Sequence, residues 1–192
     1  MGNLLQDHRT VAELASVGQV IEFADKISAF ESLADIVQAD LAALNPDKIP
    51  PGWRESAVVG NLQFGFADAK RRVPSVSGSL KATVSAVCQR CLEAFQLQLN
   101  VELNLLLLTS EQVVDGYDEF EVWELKEQTI QPQDIVEELL IMALPFSPMH
   151  DNTAECKALS SAATESDGGE ELLRPFAALR AQMTQNEKDP QD

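Results

Sequence analysis

Cys88 and Cys91 enclose Gln89 and Arg90 in a Cys-x-x-Cys. Such a pair can exchange electrons, hold a metal ion, or pack as small apolar side chains. Redox exchange wants the first cysteine at a helix N-terminus, where the dipole lowers the thiol pKa. This pair leads into a strand pattern instead, so that device is missing. Two thiolates at a hairpin can supply half of a tetrahedral zinc site. His150 and Cys156 could complete a Cys₃His set with Cys88 and Cys91, although their six-residue separation is looser than usual finger spacings. Packing as buried apolar residues accounts for the cysteines equally well, and both readings stay open here.

A thiol- or zinc-dependent enzyme is the alternative from another class, with Cys88 or Cys91 attacking and His150 as base. The chain has neither a nucleophile elbow nor a glycine-rich phosphate loop to support it. His150 beside Asp151 reads as a structural hydrogen-bonding pair. The acids Asp115, Asp118, Glu119, Glu121 and Glu124 lack the spacing of a calcium loop and read as a solvated strand edge.

The element that must position the cysteines is the stretch following them. Phe95, Leu97, Leu99, Val101, Leu103, Leu105 and Leu107 alternate with Gln96, Gln98, Asn100, Glu102 and Asn104. Period-two alternation means one long, half-buried strand. Leu106 and Leu108 make its far end apolar on both sides. Upstream, residues 58–67 and 76–86 also alternate, joined by a turn at 68–72, so the Cys-x-x-Cys falls in the connection of an antiparallel pair. A further strand is expected at 120–125.

Helices are expected over 9–16 and from Ser28 to about Ala39, the latter opened by a capping box of Ser28 and Glu31. Another starts at Pro132, with Ile135, Val136, Leu139 and Leu140 on its apolar side, and ends before Pro145. Residues 45–52 hold three prolines and a glycine and form a linker.

The expected fold is α+β, a curved antiparallel β-sheet with flanking helices and a disordered acidic linker near the C-terminus. Residues 1–156 form a single domain, with an N-terminal helical part at 1–45, a β-rich core at 54–126 and the helix at 132–144. Residues 157–171 are a flexible linker rich in Ala, Ser, Gly and acids. Residues 172–192 supply a short docking helix and a polar tail.

At 192 residues and 45% hydrophobic content the chain can build one real core. It has no apolar run of membrane-spanning length and no signal-peptide pattern. Three cysteines without an export signal favour reduced thiols or metal, in the cytoplasm. A net charge of −17 opposes sliding along nucleic acid, whose binding is driven by counterion release to basic residues. Between Arg54 and Cys91, however, six basic residues face two acids, a local balance of +4 that leaves −21 for the remainder. A polyanion could dock on this island of Lys70, Arg71, Arg72, Lys81 and Arg90, and a merely solvated turn at 70–72 accounts for the three adjacent basics equally well.

Three stretches together resemble the YceD family. They are Val87-Cys88-Gln89-Arg90-Cys91 with its long strand, the segment from Asp134 to Pro145 followed by Pro148, His150, Asp151 and Cys156, and Pro175-Phe176-Ala177-Ala178-Leu179. The resemblance implies a non-catalytic factor in large-subunit ribosome biogenesis that promotes synthesis, processing or stability of 23S rRNA. Implied partners are 23S rRNA or its precursor, contacted by the basic residues, or a basic large-subunit ribosomal protein drawn to the acidic surface. One structural zinc ion is the candidate cofactor, and neither membrane nor DNA is an expected partner.

Overall fold

The computed structural model describes residues 4–70, 72–109, 112, 116–152 and 156. They fall within one compact unit, Met1–Cys156. The linker expected at 157–171, the helix and tail expected at 172–192, and Arg71 lie outside the described residues.

The chain runs β1 (Arg9–Thr10), α1 (Val11–Val17), β2 (Val20–Lys26), α2 (Glu31–Leu41), β3 (Ala57–Phe66), β4 (Pro74–Val87), β5 (Ala94–Thr109), β6 (Glu121–Leu125), β7 (Thr129–Ile130) and α3 (Pro132–Met142). Five strands form a sheet in the order β2-β3-β4-β5-β6, and β1 pairs with β7 in a small ribbon. The α+β architecture matches the expectation from sequence. Strands β2 to β5 are antiparallel, and β6 adds to β5 in parallel.

The alternation in β5 does what period two requires. Leu99, Leu103, Leu105 and Leu107 are buried in the main core, with Gln96, Gln98, Asn100 and Glu102 exposed opposite. In that core they meet Leu33, Val37 and Leu41 of α2 and Ile135, Val136 and Leu140 of α3. Each such side chain contributes about 1.5–3 kcal/mol when fully buried. At the far end Leu106 and Leu108 pack with Val73, Tyr117 and Phe120 on the opposite face, so this end is covered on both sides. The rest of that face is polar, and Thr83 Oγ1 donates to Gln98 Oε1 across β4 and β5 at 2.9 Å.

β3 and β4 approach so closely at Gly78 that a Cβ there would lie 2.0 Å from the carbonyl oxygen of Asn61. Only glycine fits.

The capping box expected from Ser28 and Glu31 does not form. Ile27–Ala29 is a 3₁₀ turn, and α2 begins at Glu31 after Phe30, which has no capping side chain. The Leu33 amide instead donates to Glu137 Oε1 of α3 at 3.0 Å, so a carboxylate distant in sequence replaces the local cap. Burying Phe30 outweighs local capping, since its ring is wholly inside the core. The 45–52 linker contains a 3₁₀ turn at Pro46–Lys48. α1 carries an ordinary cap, Thr10 accepting from the Glu13 amide at 3.2 Å.

Candidate metal centre

β4 and β5 stay paired up to Val87 opposite Ala94, and the cysteines occupy the connection. Asp40 at the end of α2 accepts from the Val87 amide at 3.0 Å and fixes the end of β4. The connection closes tightly: the Cys88 amide donates to the Glu93 carbonyl at 2.9 Å, and the Leu92 amide to the Cys88 carbonyl at 2.8 Å. Leu92 takes a left-handed backbone, φ 57°, the one positive φ of a non-glycine residue among the described residues. That conformation costs an L-residue about 1–2 kcal/mol, and here it turns the chain from Cys91 back into β5.

α3 delivers the other half of the centre. Pro145 follows its last turn, and the chain doubles back until the Pro148 carbonyl accepts from the Gln89 amide at 2.9 Å. His150 then enters beside the cysteines, its imidazole against Phe95 of β5 with ring centroids 4.7 Å apart. Cys156 completes the set. All three cysteines are buried and none is in a disulfide.

Ligand atoms of Cys88, Cys91, His150 and Cys156 all lie within 4.8 Å of one another. His150 Nδ1 is 3.6 Å from the sulfurs of both Cys91 and Cys156, and the Cys88 and Cys156 sulfurs are 4.0 Å apart. Bonds of about 2.3 Å from zinc to sulfur and about 2.0–2.1 Å to nitrogen, at tetrahedral angles, place S···S near 3.8 Å and S···N near 3.5 Å. These three separations fit that tetrahedron to a few tenths of an ångström, and the donor set suits a tetrahedral metal ion.

The electrostatics agree. Burial pushes the Cys88 thiol up, but the backbone amides of His150, Cys91 and Arg90, with the His150 side chain, outweigh it and bring the pKa down to about 5. Burial, then contact with Cys91 and Cys88, holds Cys156 up at about 11. Neighbouring thiolates repel, so further ionisation in this cluster calls for a cation.

The two halves of the predicted set thus come together although His150 lies 59 positions beyond Cys91 along the chain. The candidate RNA-binding residues are dispersed. Lys70 and Arg72 stand in the β3–β4 turn, where Arg72 Nε is 3.2 Å from Asp68. Lys81 is exposed midway along β4, and Arg90 lies in the cysteine loop with Nη2 3.8 Å from Met149 Sδ. The 14 residues of β4 separate the two ends by about 40 Å. Phe95, Pro148 and Leu92 shape the centre without carrying a motif, and no spacing rule points to them.

Fold and centre together define an α+β protein whose β4–β5 hairpin carries a Cys₃His cluster closed by the segment after α3. The family model described as large ribosomal RNA subunit accumulation protein YceD matches residues 76–181, more than half of the sequence. The chain belongs to the YceD family. No curated protein and no solved structure matches it. No helix among the described residues is long and apolar enough to cross a membrane.

Proposed function

We propose that this protein is a non-catalytic, cytoplasmic factor in large-subunit assembly that promotes synthesis, processing or stability of 23S rRNA. Family membership across the hairpin, α3 and the metal-binding segment is the observation that carries the reading. The protein works on 23S rRNA or its precursor through a basic large-subunit ribosomal protein. The −17 charge favours such a partner; among the described residues Lys70 and Arg72 precede β4, Lys81 lies within it and Arg90 follows it, so these four offer phosphates no single patch.

The centre holds one structural zinc ion through Cys88, Cys91, His150 and Cys156. Four protein ligands fill a tetrahedral ion and leave no position for substrate, the pattern of a structural site. This favours a scaffold over a thiol- or zinc-dependent enzyme. The zinc ties the segment after α3 to the β4–β5 loop.

Deleting the gene and quantifying mature 23S against 16S rRNA tests the function. The ratio is expected to fall, and an unchanged ratio with normal sedimentation of large-subunit precursors would overturn the reading.

A further inference from the structure

A groove of about 830 Å³ runs between β6 and α3. Its apolar lining includes Trp123 and Met142 on the α3 side, with Val122 on the other face of the β6 edge; Val122 and Met142 are 62% and 67% accessible. Glu121, Glu124, Glu127, Asp134 and Glu138 rim it, all exposed, against one lysine, Lys126. None of the five acids forms an ion pair among the described residues. The groove follows an edge strand, because among the described residues β6 pairs only with β5. An edge strand presents a row of backbone donors and acceptors on its outer side, and acids along it discourage pairing with an acidic chain while welcoming a basic one.

Charge narrows the occupant. A second copy of this chain carries −17, and its own residues 157–192 hold seven acids against four basic residues. RNA is repelled by the same rim. A basic polypeptide remains, with apolar side chains to meet Trp123 and Met142 on the α3 side.

We infer that the groove between β6 and α3 docks an extended, lysine- or arginine-rich peptide segment of another protein, which adds as a strand to the free edge of β6. The inference rests on the reading that a basic protein partner connects this chain to the large subunit, and it names the surface used. Backbone pairing with β6 supplies register; side chains on the α3 side meet Trp123, Met142 and the acids of α3, and those on the other side meet Val122 and Glu124.

The probe is a labelled peptide alternating lysine and leucine, titrated into the full chain beside one alternating lysine and serine. The lysine–leucine peptide binds and slows hydrogen exchange at the amides of 121–125, and the lysine–serine peptide binds at least about tenfold more weakly. Glu121→Lys, Glu124→Lys and Glu138→Lys together weaken binding at least about tenfold. The same charge change at Glu22, Asp35 and Glu102, outside the groove, leaves it within about twofold. Equal losses in both triple variants, or binding without protection of 121–125, would overturn the groove. Sedimentation separates this from failure of the functional reading. Wild-type protein that rides with large-subunit precursors while the peptide ignores the groove leaves that reading standing and removes the docking site. Peptide docking in the groove with no co-sedimentation does the reverse.

Discussion

The backbone amide of Gln89 donates to the carbonyl of Pro148 at 2.9 Å. This bond joins the cysteine loop to the segment after α3 and brings His150 within 3.6 Å of Cys91. Backbone pairing therefore holds three of the four candidate ligands together, and Cys156 is the fourth.

One zinc per chain is expected in protein purified without chelator, measured by elemental analysis. Cobalt substitution should give the absorption of a tetrahedral thiolate site. Cys156→Ser should weaken zinc binding by at least about tenfold, and stripping the metal should lower the melting temperature. At a hundredfold excess over Kd, zinc adds about 2.7 kcal/mol to stability. Ligand thiols give up their protons to the solvent on binding, so uptake releases acid and tightens as pH rises. Full-length protein that melts identically with and without zinc would refute the structural role.

Leu92 holds a left-handed backbone while 63% exposed, so its side chain returns little for the strain. Glycine removes the Cβ clash at some cost in chain entropy. Leu92→Gly should raise stability by about 0.5–1 kcal/mol with zinc content unchanged. Denaturant titration reads the difference, and a loss of stability would show that the leucine side chain matters there.

Gly78 is a second place where backbone approach dictates the residue. Gly78→Ala puts a methyl group 2.0 Å from the Asn61 carbonyl oxygen, and backbone atoms cannot yield as side chains do. The strands must separate locally, at about 1–3 kcal/mol or more. Chemical denaturation should show that loss. Amide exchange should quicken first at the β3–β4 pairs flanking Gly78.

Much of this was legible in the sequence because the physics is local. Alternation from Phe95 to Leu107 placed β5 and its buried face, and Pro132 and Pro145 bracketed α3. What escaped depends on contacts distant in sequence. Glu137 caps α2 from another helix, overriding the Ser28–Glu31 signal, and burial of Phe30 sets where α2 begins. β6 joins in parallel, a choice that alternation within 120–125 cannot encode. The four candidate ligands were identifiable by type, yet only the return of the chain after α3 places His150 on the cysteines. The acids of α3 facing β6 carry no spacing signal, because the groove forms only when the two elements pack.

The β3–β4 turn should loosen in acid. The Asp68 carboxylate accepts from the amides of Arg72 at 2.7 Å and Val73 at 3.0 Å. The Val73 amide is the main cause that holds its pKa below the ordinary 3.8, with Arg72 adding to it against a smaller penalty from desolvation. A carboxyl lowered on folding stabilises fully above its unfolded value and loses that contribution as pH falls through the folded one. Carboxyl NMR should place the Asp68 midpoint below 3.8, with Val73 amide exchange rising over the same range. Asp68→Asn should abolish that dependence.

The basic residues decide how the protein meets the ribosome. Arg72 is tied to Asp68, so reversing its charge would damage the turn and confuse the result. Lys70 and Lys81 are exposed and free of ion pairs among the described residues, so Lys70→Glu with Lys81→Glu should leave melting within about 0.5 kcal/mol. If RNA phosphates are bound along β4, this double variant binds 23S fragments more weakly across all sequences, and its salt dependence flattens. If a basic protein is the partner, the double variant still sediments with large-subunit precursors while Glu121→Lys with Glu124→Lys does not. The dispersal of these lysines over β4, against five acids gathered on one groove, makes the second pattern the expected one.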